Sequence, residues 1–450
     1  MPSADVNVSS LHARYALGLM SCVTVLNVAD RQLLSVLIDP IKTELGVSDA
    51  AMGLLTGTSF AVLHVAATIP IAVWADRGVR RSIIALGLAV WSGLTLTTAF
   101  ARSYAEIFAI RVGVGIGEAT GGAPAQSFLS DLFPPQKRAS ALSILVMGGP
   151  IGSMIAFAAG GWLADLYGWR TAFICFGAPG FLLALLIRTT LREPTRGASD
   201  AQAPPEEEEE ENPAADSVGL CVAADALPVR SSLRFLLRVR SLRYLALASG
   251  VNSIGLYAVL IWSMPYMTRV HELGTGQAGT RLAIASGLFT ALGTYAGGRL
   301  ADRLALRDMR WLAWLPSLTS ALALPAALGF AFAPNGNWAT VLLALASFLV
   351  GMHFGPVLSA IQSLAAPSMR ALAAALTTTL NNLLGLGLAP PLVGWLNDIG
   401  TASFGVDAIR YSLGGIFFVY LIAAVLLLLA STTLVPDLAA KDQMGSVTLN

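Results

Sequence analysis

The sequence is poor in charged residues and in cysteine. The low charge argues against one class of partner, and the few cysteines argue against one class of structural site. Only 12% of its 450 residues are charged and the formal net charge is +1, which argues against a nucleic-acid partner. The three cysteines, Cys22, Cys175 and Cys221, are scattered and predict neither a disulfide framework nor a metal site. We find no metal ligand set, no phosphate-cradling loop and no serine–histidine–acid arrangement. We therefore expect no catalytic residues, no metal and no cofactor.

Apolar residues are abundant instead. They make up 55% of the chain, and the mean hydropathy is +0.68, whereas a soluble domain carries about 25% charged residues. A helix crosses a bilayer in about 20 apolar residues. Twelve segments of that kind form two groups of six, which predicts an all-α integral membrane protein of two six-helix bundles. They are 15–38, 51–75, 82–101, 105–132, 139–164, 171–191, 245–267, 277–300, 311–332, 338–364, 371–396 and 411–434.

Basic residues in the short loops predict the orientation. Loops that carry clustered lysine and arginine stay in the cytoplasm. On one side they cluster, at Arg77, Arg80, Arg81, Lys137, Arg138, Arg303, Arg307, Arg310 and Arg370; on the other they are spread out, at Lys42, Arg102, Arg170, Arg269, Arg281 and Arg410. We expect both termini in the cytoplasm and a place in the inner (plasma) membrane. The first residues lack the basic region and cleavage site of a signal peptide, so the first helix should direct insertion.

A polar interval separates the two groups of segments. We divide the chain into a first bundle, an interval, a second bundle and a tail, at residues 1–191, 192–243, 244–436 and 437–450. Residues 197–225 are rich in alanine, proline and acid, so they predict a disordered linker. In residues 230–244 arginine alternates with apolar residues, which is typical of a helix lying at the membrane surface.

The two groups also repeat one another. Pro124 and Pro356 are 232 residues apart, and so are Arg138 and Arg370. The sequence GWLAD ends at Asp165, and GWLND ends 233 residues later at Asp398. Duplicated bundles of this kind build alternating-access carriers, with the substrate site between the halves.

The fourth apolar segment carries two charges, Arg111 and Glu118. Seven residues at about 100° each nearly complete two helical turns, so both charges lie on one face, roughly 10 Å apart. Charges inside a membrane face a partner or water and mark functional sites. We expect Arg111 to bind an anionic substrate and Glu118 to hold Arg111, across other helices or water, when no substrate is bound. The alternative is an ion pair that only fixes the packing.

The first segment holds Asn27, Asp30 and Arg31 near its middle. Asp30 and Arg31 are adjacent, so their side chains point about 100° apart. We expect one to face the central cavity and the other to contact a neighbouring helix. A carboxylate in a low-dielectric cavity can take up a proton near neutrality, which makes Asp30 and Glu118 candidates for proton coupling. Arg31 always stays charged and can pair with the acids or with the substrate. A static salt bridge at Asp30 is the alternative.

Two helix ends combine an acid with basic residues and predict a cytoplasmic gate. They contain Asp76, Arg77, Arg80 and Arg81 in the first half and Asp302 and Arg303 in the second. Such groups can hold neighbouring helices in one conformation and release them in another. Positive-inside anchoring explains some of the arginines, but it does not explain the acids.

Weaker candidates for the cavity lining are polar residues inside apolar segments. A histidine there can relay protons, and an asparagine can bind substrate, but both can equally hydrogen-bond between helices. These residues are His64, Asn252, His353, Asn381 and Asn382, together with Asn27.

The loop after the second segment resembles the signature of the major facilitator superfamily, with Ala72 and Val79 at two positions where glycine is expected. Further motifs resemble the spinster family within that superfamily: NVADR, RVGVGIGEA, DLFPPQKRASALSI, GPIGS and LREPTRG. The match covers most of the first half. The resemblance implies a carrier of sphingosine-1-phosphate or lysophospholipids, in some cases proton-coupled, with Asp30, Arg31, Arg111 and Glu118 as transport residues.

We therefore expect a secondary carrier that acts as a monomer and moves an amphipathic anionic lipid, coupled to protons, with membrane lipids around it. A carrier of small organic anions such as sugar acids is the nearest rival. A sensor should contain a folded soluble domain, and a transferase should show acids and histidines clustered at one membrane face; the sequence contains neither.

Overall fold

The computed structural model describes residues 10–196, 238–365 and 369–447, and within these ranges the chain is helical with no strand. The predicted linker 197–225 and most of the predicted surface helix 230–244 lie outside the described residues. The helices of the first half are α1 (Ser10–Val36), α2 (Ile38–Leu45), α3 (Asp49–Gly53), α4 (Ser59–Arg77), α5 (Arg80–Thr98), α6 (Tyr104–Glu118), α7 (Ala123–Leu132), α8 (Pro135–Ile155), α9 (Gly161–Tyr167) and α10 (Trp169–Thr190).

The second half repeats this arrangement. Its helices are α11 (Arg240–Arg269), α12 (Thr275–Leu282), α13 (Phe289–Ala305), α14 (Trp311–Ala331), α15 (Gly336–Gly351), α16 (Phe354–Leu364), α17 (Arg370–Asn381), α18 (Ala389–Phe404), α19 (Ala408–Phe417) and α20 (Val419–Val447).

Every one of the twelve predicted segments coincides with a helix or with consecutive helices of the described ranges. Eight helical runs are long and apolar enough to cross a membrane, or nine if the bent pair α1–α2 is one span. The last of these runs, Leu372–Ala439, contains both of the final predicted segments. The chain is therefore an integral, multi-pass membrane protein.

The helix of the fourth segment is interrupted in its middle, and the interruption leaves backbone polar groups exposed inside the bundle. Helix α6 ends at Glu118, a short 3₁₀ turn covers Ala119–Gly121, and α7 begins at Ala123 with Pro124 in its first turn. The last carbonyls of a helix have no N–H partner within it, and α6 ends at Glu118. The backbone carbonyl of Glu118 accepts a hydrogen bond from the side chain of Asn27.

Four of the segments through which the two halves contact each other contain a π-helical stretch. The stretches are Leu54–Thr58, Ala156–Gly160, Ala283–Leu288 and Asn382–Leu388. The first packs near the fourth, where Thr58 donates to the carbonyl of Gly387 at 2.6 Å. We call the end of the molecule that carries Asp39 and Arg269 the Arg269 end, and the opposite end the Arg80 end.

Candidate functional site

A cavity of about 230 Å³ lies inside the first half, beside the break in the fourth segment. It is bounded by α1, α4, α7 and α8, and its lining combines one guanidinium and one carboxylate with small, polar and apolar side chains. The lining residues are Thr24, Asn27, Arg31, His64, Thr68, Glu118, Ala119, Gly121, Gly122, Ala123, Gln126, Leu145 and Val146.

Arg31 is the cation of this cavity. Its Nη2–H group donates to Asn27 Oδ1 and to Glu118 Oε2, both at 3.0 Å. Its guanidinium carbon lies 4.4 Å from the centre of the Phe60 ring, a cation–π contact. The side chain is 17% exposed, whereas that of Glu118 is fully buried, so Arg31 is the member of the ion pair that a ligand can reach.

Asp30 points away from the cavity lining. It is 1% exposed, and its Oδ2 accepts a hydrogen bond from the Thr95 hydroxyl on α5 at 3.2 Å. The adjacent Arg31 faces the cavity. The 100° separation predicted that one of the two residues faces the central cavity and the other contacts a neighbouring helix; in the structure Arg31 lines the cavity of the first half and Asp30 contacts α5.

Arg111 lies deeper than the sequence suggests. It is 1% exposed, and its Nε and Nη2 have no hydrogen-bond partner among the described residues. It interacts electrostatically with Asp30 and Glu118, but in the described part of the chain the ion pair of Glu118 is with Arg31. The sequence predicted that Glu118 holds Arg111, and in the structure Glu118, at the end of α6, bonds directly to Arg31 on α1.

His64 borders the same cavity from α4. One of its ring nitrogens, Nδ1, lies 3.2 Å from the backbone carbonyl of Gly115 on α6. The imidazole stacks on Phe60, with ring centres 5.0 Å apart and planes inclined by 20°. Phe60 is fully buried, so a single rigid ring supports both Arg31 and His64.

The polar candidates of the second half lie away from this cavity. Asn252 and His353 are fully buried, and their side chains have no hydrogen-bond partner within the described ranges. Asn381 and Asn382 lie where α17 passes into its π-helical stretch and are only partly buried. Within the described ranges, the buried charged residues all belong to the first half: Asp30, Asp49, Arg80, Arg111 and Glu118.

At the Arg80 end, the predicted gate residues bind within their own half. Arg80 is buried and donates to Asp131 at 2.5 Å and to Glu193 at 2.9 Å. Glu193 also accepts the backbone N–H groups of Arg80 and Arg81, so the segment after α10 caps α5. Arg77, Asp302 and Arg303 are exposed, and no ion pair of the described residues joins the halves at this end. The side chain of Asp76 is not among those described.

At the Arg269 end, by contrast, ion pairs join the two halves. Arg269, the last residue of α11, donates to Asp39 at 2.6 Å and to Asp49 at 2.6 Å. Lys42 adds a further contact to Asp49. Asn397 on α18 also donates to Asp49, at 3.1 Å. From the sequence, Lys42 and Arg269 were only basic residues of the loops and the other three had no predicted role; the structure places all five in one cross-half network.

Comparison with known proteins agrees with this architecture. Residues 20–390 match the Major Facilitator Superfamily. The chain is 32% identical over 399 residues to an MFS-type efflux pump of Mycolicibacterium smegmatis, covering 88% of this chain and 87% of the pump. It is 31% identical over 180 residues to a probable galactarate/D-glucarate transporter of Bacillus subtilis, covering 39% of each.

A solved structure is similar over nearly the whole chain. It is that of a bacterial homologue of the human lysosomal transporter Spinster, in an inward-facing and unoccupied conformation. The TM-score is 0.84 and the identity 27%, covering 95% of this chain and 99% of the other. The predicted fold class, two six-helix bundles of the major facilitator type, is confirmed, and so is the resemblance to the spinster family.

Proposed function

The chain belongs to the Major Facilitator Superfamily and is a transporter related to the Spinster proteins, and we propose that it carries an amphipathic anion by proton-coupled alternating access. The observation that supports this most is the reach of Arg31 into the cavity while Glu118 and Asn27 hold it. A guanidinium binds phosphate or carboxylate through parallel hydrogen bonds. The anion therefore competes with Glu118 for Arg31.

This competition couples the proton to the substrate. When Glu118 takes up a proton it loses its charge, and its bond to Arg31 weakens. Arg31 is then free to bind the anion. Asp30, which interacts with Arg111 behind the cavity, is the second carboxylate that can take up a proton. Proton binding thus precedes or accompanies anion binding, and the return of the carrier releases both.

The two ends of the molecule support alternating access. Ion pairs across the halves close the Arg269 end, whereas those described at the Arg80 end stay within the first half. We assign the Arg80 end to the cytoplasm, as the positive-inside pattern predicts. We propose that the structure is the inward-facing state of a carrier that acts as a monomer in the inner membrane, with both termini in the cytoplasm.

The cavity lining favours a lipid anion. Leu145 and Val146 on α8 form an apolar wall next to the polar groups around Arg31. A lysolipid or sphingoid phosphate has both a charged head and an apolar chain, so it matches both parts of the lining. A small organic anion such as a sugar acid is the second candidate. The similarity to the Bacillus galactarate/D-glucarate transporter favours it.

Uptake by purified protein in liposomes tests the substrate class. We expect lysophosphatidate or a sphingoid phosphate to exchange across the membrane, with hexuronate and glucarate slower by roughly 10-fold or more, since each lacks the chain that would contact the apolar wall. Protein-free liposomes give the background for lipid flip. Faster exchange of the sugar acids would replace the lipid with the second candidate.

A further inference from the structure

His64 is held in one orientation by two neighbours. Its Nδ1 faces the carbonyl of Gly115 at 3.2 Å, and its ring stacks on Phe60. A carbonyl oxygen can only accept a hydrogen bond, so Nδ1 must carry the proton and donate it. The ring nitrogen left for the cavity is then Nε2.

The chemistry of Nε2 follows from this tautomer. In a neutral imidazole with the proton on Nδ1, Nε2 carries a lone pair and accepts hydrogen bonds. The guanidinium of Arg31 lies on the same Phe60 ring, and a second positive charge beside it would be repelled. The cavity lining therefore contains a cation and a hydrogen-bond acceptor, and both side chains contact the ring of Phe60.

We infer that His64 determines substrate specificity by accepting a hydrogen bond from a hydroxyl or ammonium group next to the anionic group of the ligand. This rests on the proposed function, because Arg31 must first bind the anion. The shared chemistry is an anion with a neighbouring donor. Lysophosphatidate, a sphingoid phosphate and a hexuronate all have it. A plain alkyl phosphate lacks the donor and is bound by Arg31 alone.

A pair of ligands that differ in one donor tests the inference. The probes are lysophosphatidate with its free 2-hydroxyl and the 2-O-methyl ether of the same lipid, each titrated against the purified protein in nanodiscs. We expect the wild type to prefer the hydroxyl form by about 10-fold, since one hydrogen bond to a buried acceptor is worth that much. His64→Phe keeps the stack on Phe60 and should bind both lipids equally, at the wild-type affinity for the ether.

His64→Gln supplies the matched control, because its amide oxygen can accept the same bond; it should restore part of the preference. A preference that persists in His64→Phe, or none in the wild type, overturns the role of His64 and leaves the proposed function standing. If neither lipid binds, a hexuronate and its deoxy analogue at the neighbouring hydroxyl replace the pair. Failure of both pairs contradicts the proposed function itself, and the inference with it.

A second inference comes from the repeated GWLAD and GWLND sequences. Asp165 accepts the backbone N–H groups of Thr275 at 3.1 Å and Gly276 at 2.7 Å, at the start of α12. Asp398 accepts those of Asp49 at 3.0 Å and Ala50 at 2.8 Å, at the start of α3. In both cases the acid belongs to one half and the helix start to the other.

The glycine of each repeat lies one turn before its acid and makes this contact possible. A Cβ atom on Gly161 would collide with the carbonyl of Thr275, and one on Gly394 with the carbonyl of Asp49. The absence of a side chain lets each helix approach the other half closely enough for the carboxylate to reach the first helical turn. Both repeats therefore make the same contact across the halves. In the first repeat the first half supplies the acid, and in the second repeat the second half supplies it.

We propose that Asp165 and Asp398 are paired cross-half helix caps that hold the Arg269 end closed. The first N–H groups of a helix have no partner within it, and a carboxylate there satisfies them and complements the positive helix end. Opening this end breaks both caps and exposes four N–H groups together with two acids. Each half thus contributes one acid and one helix start to the closure of the Arg269 end.

Spin labels at Thr43 and Val406, one in each half at this end, report whether it is open. Cys22, Cys175 and Cys221 are first replaced by serine. We expect Asp165→Ala and Asp398→Ala each to raise the open-to-closed ratio roughly 5-fold, and the double variant about 25-fold, as for the loss of helix caps. Glu106→Ala is the control, because Glu106 accepts the backbone N–H of Arg102 within its own half.

Size-exclusion chromatography first selects variants that remain folded, and Asp→Asn variants, which keep one accepting oxygen, should give smaller shifts in the same direction. A shift from one acid only overturns the pairing of the two caps. No shift from either acid, or an equal shift from Glu106→Ala, overturns the role of the caps as a whole.

Discussion

Arg31→Ala should abolish binding and transport of the anion while the protein remains folded. The variant loses the cation of the cavity and leaves Glu118, which is fully buried, without its partner. Removing one member of a buried charged pair costs about 2–5 kcal/mol, so affinity should fall by at least roughly 30-fold. Titration of lysophosphatidate against the purified variant measures the loss.

The control for this variant is Arg299→Ala. Arg299 also lies on an aromatic ring, 4.7 Å from the centre of Tyr295, but it does not line the cavity. The Arg299→Ala variant should bind the lipid with the affinity of the wild type. Arg31→Lys keeps the charge but loses the fork that binds two oxygens at once, so an intermediate affinity is expected. Wild-type affinity in Arg31→Ala removes Arg31 from the site and points to the deeper Arg111.

Asp30→Asn should retain transport down a substrate gradient and respond less to a pH gradient. The amide is nearly isosteric with the carboxylate, and its oxygen can still accept the bond from Thr95. It cannot, however, take up and release a proton, so Glu118 alone of the two acids still can. The measurement is the ratio of uptake with and without an imposed pH gradient, which should fall well below the wild-type ratio in the variant.

Asp407→Asn serves as the matched control for Asp30→Asn. Asp407 pairs with Arg410 within the second half and is about half exposed. Its substitution removes a carboxylate outside the membrane interior, so the response to the gradient should stay at the wild-type level. An Asp30→Asn protein that follows the gradient like the wild type would leave Glu118 as the only candidate among the two acids.

Local sequence patterns predicted much of this molecule. The lengths of the apolar segments were enough to locate the helices. In lipid, the backbone N–H and C=O groups of a spanning segment must be hydrogen-bonded within that segment, and a helix does this. The angle between consecutive side chains was enough to separate Asp30 from Arg31. The sequence showed that GWLAD at 161–165 is repeated as GWLND at 394–398. The role of the two acids became clear only from their hydrogen bonds to the opposite half.

The partners across helices could not be predicted in this way. The pairing of Glu118 with Arg31 depends on the level at which α6 ends and on the contact of the following turn with α1. In the sequence, nothing distinguishes Arg269 from the other basic residues of the loops. Its ion pairs with Asp39 and Asp49 are seen only in the structure. Phe60 carries no charge at all, and its role comes only from the two side chains stacked on it.

If movement of the anion is coupled to protons, an imposed pH gradient must drive net uptake of the anion into liposomes. Purified wild-type protein is reconstituted with equal lipid anion on both sides of the membrane, and only the pH differs. We expect net accumulation of the anion on one side, which ends when an ionophore collapses the gradient. Exchange that stays equal in both directions, with no accumulation at any pH difference, would rule out proton coupling.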